Sequence, residues 1–194
     1  FGKDGRLIRR YSTSDSDLSN DVVLCMTERD SSIWAGTDGG GINIISFDDD
    51  EVSNLNHTAG DPSSLPAHSI KSIYTDSYGN VWAGSIRDGL IGISSSKMKT
   101  YSDVHIGMDT GLSNPTTLCL YQDINNEDIW IGTDGEGLNR FTPSTNRFTH
   151  FNSTLKTKVV SIASFSKDEL VLSVYGDRFW VFHKKTGSIR EMTV

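Results

Sequence analysis

Three short, mostly glycine-rich segments carry the residues best suited to hold a polyhydroxylated ligand. They are Asp38-Gly39-Gly40, Ile86-Arg87-Asp88 and Asp134-Gly135-Glu136. Carboxylates and guanidinium groups exchange hydrogen bonds with sugar hydroxyls. The candidate ligand-binding residues are therefore Asp38, Arg87, Asp88, Asp134 and Glu136. The alternative interpretation is that Asp-Gly only forms a tight turn. Because Arg87 departs from the pattern of the other two segments, it is the leading candidate.

Catalytic and metal-binding patterns are absent from the rest of the sequence. The acidic run at 48–51 lacks the alternating spacing that folds carboxylates around calcium, and favours a solvated hairpin tip. No G-x-S-x-G, phosphate-loop or H-E-x-x-H motif occurs. The five histidines show no paired spacing: His57, His68, His105, His150 and His183. We expect no catalysis, no metal and no cofactor, although the many carboxylates leave a glycosidase pair open.

The composition narrows the classes of partner. The 194 residues carry a net charge of −7, which argues against nucleic acid and against an anionic membrane surface as partners. Two cysteines are too few for a disulfide scaffold. No apolar run reaches the roughly 20 residues that span a bilayer.

Internal repetition shows which elements position the candidate residues. Trp34, Trp82 and Trp130 are 48 residues apart, and each follows an Ile or Val and precedes x-Gly-Thr/Ser. Seven residues after each tryptophan comes a glycine, and then an aliphatic residue. A leucine opens each unit and a fourth one: Leu18, Leu65, Leu112 and Leu155.

The fourth unit is degenerate. Aligned on its leucine, Val171 takes the tryptophan place, Ser173 the glycine place and Phe179 the aliphatic place, while Ile162 takes the place of Cys25 and Cys119. Trp180 is therefore not the fourth repeat tryptophan.

Each unit has four short β-rich runs and no helical periodicity. Four-stranded units that repeat every 40–50 residues are typical of β-propeller blades, so the fold is predicted to be all-β with about four blades. The predicted units are an outer strand of a preceding blade (1–17) and blades at 18–64, 65–111, 112–154 and 155–194. Recurrence at one place in each blade favours core packing for the tryptophans over carbohydrate stacking. Cys25 and Cys119 lie two blades apart, too far for a bridge, and are expected to be buried free thiols.

The motif I/V-W-A/I-G-T/S-D/I-x-x-G-I/L, preceded by a turn such as Asp76-Ser77-Tyr78-Gly79-Asn80, resembles the regulator-propeller repeat of two-component systems. The resemblance implies the periplasmic sensor region of a Bacteroidetes-type hybrid two-component histidine kinase, with oligosaccharides as the usual signals. Residues 75–82 are also close to the Asp-box of sialidase-like propellers, but Ser77 stands where that motif needs aspartate.

The ends of the chain suggest an incomplete ring. Residues 6–11 resemble an outer strand, and the fourth unit ends with its own outer strand at 188–193. We therefore expect an arc of a longer propeller whose uncovered faces favour further blades or a homodimer as partners. The alternative is a closed four-bladed ring.

Three functions remain open from the sequence alone. The first is a periplasmic ligand-sensing segment of a sensor, which is not itself an enzyme. The others are a secreted carbohydrate-active propeller enzyme and a structural scaffold for protein interactions.

Overall fold

A computed structural model describes residues 4–61, 63–95, 97–102, 109–151, 155–176 and 178–192. Those residues form four separate sheets, each of four antiparallel strands in chain order. Blade 1 contains β1 (Val23–Arg29), β2 (Ser32–Thr37), β3 (Ile42–Ser46) and β4 (Val52–Leu55). Blade 2 contains β5 (Ile70–Thr75), β6 (Val81–Ser85), β7 (Leu90–Ile93) and β8 (Met98–Tyr101). Blade 3 contains β9 (Thr117–Gln122), β10 (Ile129–Thr133), β11 (Leu138–Thr142) and β12 (Arg147–His150). Blade 4 contains β13 (Val159–Ser164), β14 (Glu169–Val174), β15 (Phe179–His183) and β16 (Ile189–Glu191).

These sheets confirm the predicted all-β blades, and one sheet lies within each predicted unit. The predicted outer strands at 147–152 and 188–193 are shorter than expected, because β12 ends at His150 and β16 at Glu191. Asn152, Thr193 and His105 lie outside the described residues. None of the described residues lies in a helix long and apolar enough to cross a membrane.

The strand register repeats from blade to blade, including one irregularity. Each inner strand has a bulge near its start, between Val23 and Cys25 in blade 1 and between Val159 and Ser161 in blade 4. Ser161 therefore pairs with Ser173 as Cys25 pairs with Gly36. The prediction that Ile162 takes the cysteine place is wrong by one residue, because the segment between Leu155 and its inner strand is one residue shorter.

The other assignments in the degenerate unit are confirmed by the pairing. Val171 lies in the tryptophan place, opposite Ala163 on the inner strand. Phe179 pairs with Ser173 as Ile42 pairs with Gly36. Trp180 lies in the third strand and is not the equivalent of Trp130.

The core lies between consecutive blades. Trp34 of blade 1 packs with Ile70, Val81 and Ile91 of blade 2. Trp82 meets Phe141 of blade 3 at a ring-centroid distance of 5.4 Å, and Trp130 meets Phe182 of blade 4 at 5.5 Å. All three tryptophans are buried, so the core-packing interpretation is confirmed. The leucines that open blades 2 to 4 join the same clusters.

Glycine two residues after each tryptophan allows this packing. A Cβ on Gly132 would lie 2.5 Å from both Cys119 Sγ and the Val159 backbone oxygen of blade 4, closer than real Cβ contacts. Gly36 and Gly84 are confined by side chains of the next blade, since a Cβ would lie 2.7 Å from Ile70 Cγ2 and 2.2 Å from Thr117 Oγ1 respectively. The sheets therefore approach to a distance that leaves no room for a side chain.

The two ends of the array are open. No core cluster of the described residues joins blade 4 to blade 1. Apolar side chains at these ends are exposed, Met26 of blade 1 by 67% and Phe179 of blade 4 by 56%. Residues 6–11 form no strand, contrary to the prediction. Arg9 and Tyr11 of this segment instead contact Asp50 at the tip of the β3–β4 hairpin.

We predict that Gly132→Ala lowers the free energy of unfolding by about 1–3 kcal/mol, because the added methyl forces blades 3 and 4 apart. Ser173→Ala is the matched control, since Ser173 holds the same place in the last blade. It should change stability by no more than about 0.5 kcal/mol. Urea unfolding of both variants is the measurement, and equal effects would contradict the close-approach argument.

We predict that the two free cysteines make the free energy of unfolding fall at alkaline pH. Their thiols donate to backbone oxygens of the next blade, Cys25 to Ile70 and Cys119 to Val159. Burial raises the pKa of Cys25 from 9.0 to about 11 and that of Cys119 to about 12. The folded protein therefore keeps protons that the unfolded chain releases, so this stabilisation is complete below pH 9 and is lost as pH rises through 11. Relative to the Cys25→Ser/Cys119→Ser double variant, the unfolding free energy of the parent should fall between these pH values. A parallel pH dependence of the two proteins would show that the thiols are not responsible.

Candidate functional site

The three predicted ligand-binding segments are the loops between the second and third strands of blades 1 to 3. They lie in one row with the equivalent turn of blade 4 and with the segments that enter the inner strands. We call this end of the blades the loop face, formed by residues 38–41, 86–89, 134–137 and 175–176 together with the residues that precede β1, β5, β9 and β13. The opposite end, which carries the turns after the inner strands, is the turn face.

A continuous series of backbone hydrogen bonds builds the loop face. The amide four residues after each tryptophan place donates to the segment that enters its own inner strand. These bonds are Asp38 to Val22, Ile86 to Ser69, Asp134 to Thr116 and Tyr175 to Lys158, at 3.0–3.1 Å. The amide of the glycine seven residues after each tryptophan donates to a backbone oxygen of the next blade. These bonds are Gly41 to His68, Gly89 to Pro115 and Gly137 to Thr157, at 2.8–3.1 Å.

This glycine cannot be replaced without moving the backbone. At Gly137, φ is 74° and a Cβ would lie 1.9 Å from the Leu155 backbone oxygen. A hydroxyl further closes each of the three loops, because the Thr or Ser three residues after the tryptophan donates to the glycine carbonyl at 2.9–3.0 Å. The loop backbones are therefore fixed, and only their side chains differ from blade to blade.

Two of the predicted residues join neighbouring blades. Asp38 accepts a hydrogen bond from the Ser69 hydroxyl of blade 2 at 2.8 Å. Asp134 forms an ion pair with Lys158 of blade 4 at 2.6 Å, and this hydrogen bond raises the pKa of Lys158. Both carboxylates thus have a partner within the fold.

The other three predicted residues present side chains that no described residue engages: Arg87, Asp88 and Glu136. Arg87 is exposed and has a φ of 84°. The equivalent residues of the sister loops are Gly39 and Gly135, with φ of 95° and 91°. Arginine therefore occupies a left-handed position that suits glycine. Of the described contacts, none joins the side chains of two different loops.

The acidic run and the histidines do not form a metal site in the part of the chain that is described. No group of three or more His, Cys, Asp or Glu side chains is close enough there to hold an ion. The rings of His57 and His68 pack edge to face at 4.6 Å, a contact that sequence spacing did not reveal.

Sequence reasoning also missed the polar residues of the turn face. Asp76 and Asp123 each follow an inner strand and are 47 residues apart, which is the signal that could have singled them out. Asp76 accepts the indole N–H of Trp82 at 2.9 Å. Asp123 is instead paired with Lys184 of blade 4 at 2.8 Å. Burial acts to raise the pKa of Asp123, but hydrogen bonds from Lys184 and Asn125 outweigh it and hold the pKa below its usual value.

Comparisons with solved structures identify the same fold in sensor ectodomains. The extracellular domain assigned to the hybrid two component system BT3049 from B. thetaiotaomicron superposes with a TM-score of 0.81 at 16% identity, over 95% of this chain and 26% of that one. The extracellular domain of BT4673 from the same organism gives 0.72 at 19% identity, over 89% and 22%. The computationally designed protein Ika4 gives 0.60 at 11% identity, over 84% and 91%. At these identities the likeness concerns the fold alone, and the chain spans about a quarter of the length of the two ectodomains.

Comparison of the sequence with known protein families identifies the type of repeat. No curated protein matches the chain. The family model of the two component regulator propeller matches residues 64–87 and 111–135, which run from the opening leucine through the tryptophan strand and into the loop of blades 2 and 3. These two segments therefore match two-component regulator propeller repeats, as the resemblance in the sequence indicated.

Proposed function

We propose that the chain is a ligand-sensing propeller segment in the periplasmic region of a hybrid two-component sensor, and that it responds to oligosaccharides. The regulator-propeller repeats and the fold that the chain shares with sensor ectodomains support this function. In this role the segment binds its ligand without chemical turnover.

The proposed ligand-binding site is argued mainly from Arg87. A non-glycine residue at this φ costs of order 1–3 kcal/mol, and such strain concentrates at functional positions. Its guanidinium has no partner among the described residues, and backbone hydrogen bonds from Ile86 to Ser69 and from Gly89 to Pro115 hold the loop on which it stands. We propose that Arg87, with Asp88 of the same loop and Glu136 of the next, hydrogen-bonds ligand hydroxyls.

A glycan array probed with the labelled protein tests this function. We expect binding of a defined oligosaccharide class, with no new reducing ends after incubation with that glycan. Release of reducing sugar that a single carboxylate substitution abolishes would instead establish the carbohydrate-active enzyme. Absence of any glycan binding, together with capture of a defined protein partner, would instead establish the interaction scaffold.

Arg87→Gly should separate binding from stability. Glycine removes the strain of the left-handed backbone, but it loses more conformational entropy on folding than arginine. The net effect should raise the free energy of unfolding by about 0.5–1 kcal/mol. The same variant should lose binding to the array-selected glycan. Arg6→Gly removes an exposed arginine far along the chain from the loop and should retain binding. A stabilised Arg87→Gly protein that binds normally would exclude Arg87 from the site.

The open ends support a proposal about partners. Met26 and Phe179 lie on blade faces that a neighbouring blade covers in blades 2 and 3. We propose that further blades of a longer chain cover these two faces, and that a second copy of the chain covers them when those blades are absent. Light scattering after size exclusion should therefore show association that increases with concentration. A 21.4 kDa monomer at all concentrations would contradict the proposal.

A further inference from the structure

A polar cavity lies between blades 3 and 4 on the turn face, away from the loop face. Its volume is about 300 Å³, at the small end of the range for ligand pockets. Blade 3 contributes Asp123, Trp130 and Arg140, and blade 4 contributes Lys167, Asp168 and Lys184.

The buried indole of Trp130 has an unused donor. Trp130 is fully buried and lines the cavity, yet its Nε1–H has no acceptor among the described residues. The equivalent donors in the other blades are satisfied, Trp34 by the Ser32 hydroxyl at 3.1 Å and Trp82 by Asp76 at 2.9 Å. A buried donor without an acceptor costs about 1–3 kcal/mol, a cost that an acceptor entering the cavity would offset.

Lys184 explains why the donor is unused. Its buried ammonium group pairs with Asp123 at 2.8 Å and donates to the Lys167 backbone oxygen at 2.9 Å. Asp123, which stands where Asp76 accepts the Trp82 N–H, is thus committed to a different donor. The other nearby carboxylate, Asp128, accepts from Thr142 at 2.7 Å and from Asn126 at 2.9 Å, and pairs with Arg140 at 3.6 Å.

The charges around the cavity favour an anion. Four cationic and two anionic side chains line it, in a chain whose net charge is −7. Both lining carboxylates already face a lysine, Asp123 at 2.8 Å and Asp168, from Lys185, at 3.9 Å. The Arg140 guanidinium lies over the Trp130 ring at 5.8 Å, pairs with Asp128 and donates to Thr149 at 3.3 Å, whereas the Lys167 ammonium group has no partner among the described residues.

We propose that this cavity binds a small carboxylate-bearing molecule, such as an acidic sugar. The carboxylate accepts the Trp130 indole N–H and takes charge-assisted hydrogen bonds from Lys167 and Arg140, which are stronger than neutral ones. This site is separate from the loop face and does not depend on the function proposed for Arg87.

Indole ¹H–¹⁵N resonances provide a direct test, with Trp130→Phe used only to assign the Trp130 signal. Glucuronate should shift the Trp130 resonance in a saturable way and leave those of Trp34 and Trp82 in place. Glucose, which lacks the carboxylate, and sodium chloride at matched ionic strength should not shift it. The proposal would be overturned if glucuronate at up to about 10 mM, ten times a millimolar Kd, did not shift the Trp130 resonance. An equal shift with glucose would overturn it as well.

Two variants test the proposed contacts. Arg140→Gln should weaken glucuronate binding by about tenfold or more, whereas the matched variant Arg29→Gln, which removes a guanidinium lying 5.1 Å from the Trp34 ring, should leave it unchanged. Lys184→Met frees Asp123 to accept the Trp130 N–H, so it should move the Trp130 resonance downfield without ligand and abolish the response to glucuronate. Unchanged affinity in Arg140→Gln would overturn the proposal even if Lys184→Met fails to fold.

Arg87→Gly distinguishes this site from the proposed loop-face site. Glucuronate affinity measured at Trp130 should be the same in this variant as in the parent protein. A loss of that response in Arg87→Gly would show that the cavity is not an independent site.

Discussion

The close packing of each sheet on the next is the constraint on which the rest of the structure depends. A single four-stranded sheet cannot bury both of its faces, so each blade needs a neighbour. That packing is tight at Gly36, Gly84 and Gly132, where no Cβ fits. That approach brings each tryptophan against the next sheet and brings each loop within hydrogen-bonding distance of the following blade. Tryptophan burial and the hydrogen-bond series of the loop face are therefore two results of the same packing.

The scaffold could be predicted from the sequence because the same constraint acts on every blade and so leaves the same residues at the same spacing. Even the degenerate unit could be aligned, since Val171, Ser173 and Phe179 keep the spacing of the strand pair after the tryptophan has been lost. The prediction failed where the number of residues between two positions depends on the length of a connecting segment rather than on a strand. Counting from Leu155 predicts Ile162 in the place of Cys25, but the bulge register puts Ser161 there because the segment after Leu155 is one residue shorter. Residues 6–11 have a strand-like pattern, but a strand also needs a partner, and the described chain offers none.

The candidate site was only partly accessible to sequence reasoning. Residue type and loop position identified five polar residues. Residue type does not reveal whether a carboxylate already has a hydrogen-bond or ion-pair partner within the fold. Asp38 and Asp134 engage the next blade through Ser69 and Lys158, which occupy equivalent places in blades 2 and 4 but differ in residue type. The difference between Arg87 and its sister loops was visible in the sequence, whereas its significance lies in the backbone angle that the sister glycines share.

The two polar regions have a common physical origin in departures from the repeat. A repeated unit fixes its backbone through interactions that all copies share, so a substitution at a shared position leaves some group without its usual partner. At the loop face, arginine in place of glycine leaves a strained backbone and a guanidinium that none of the described residues engages. At the turn face, Lys184 of the degenerate blade takes Asp123 from the indole N–H of Trp130. In each case the packing between blades holds an unfavourable arrangement that a single unsupported sheet could not hold.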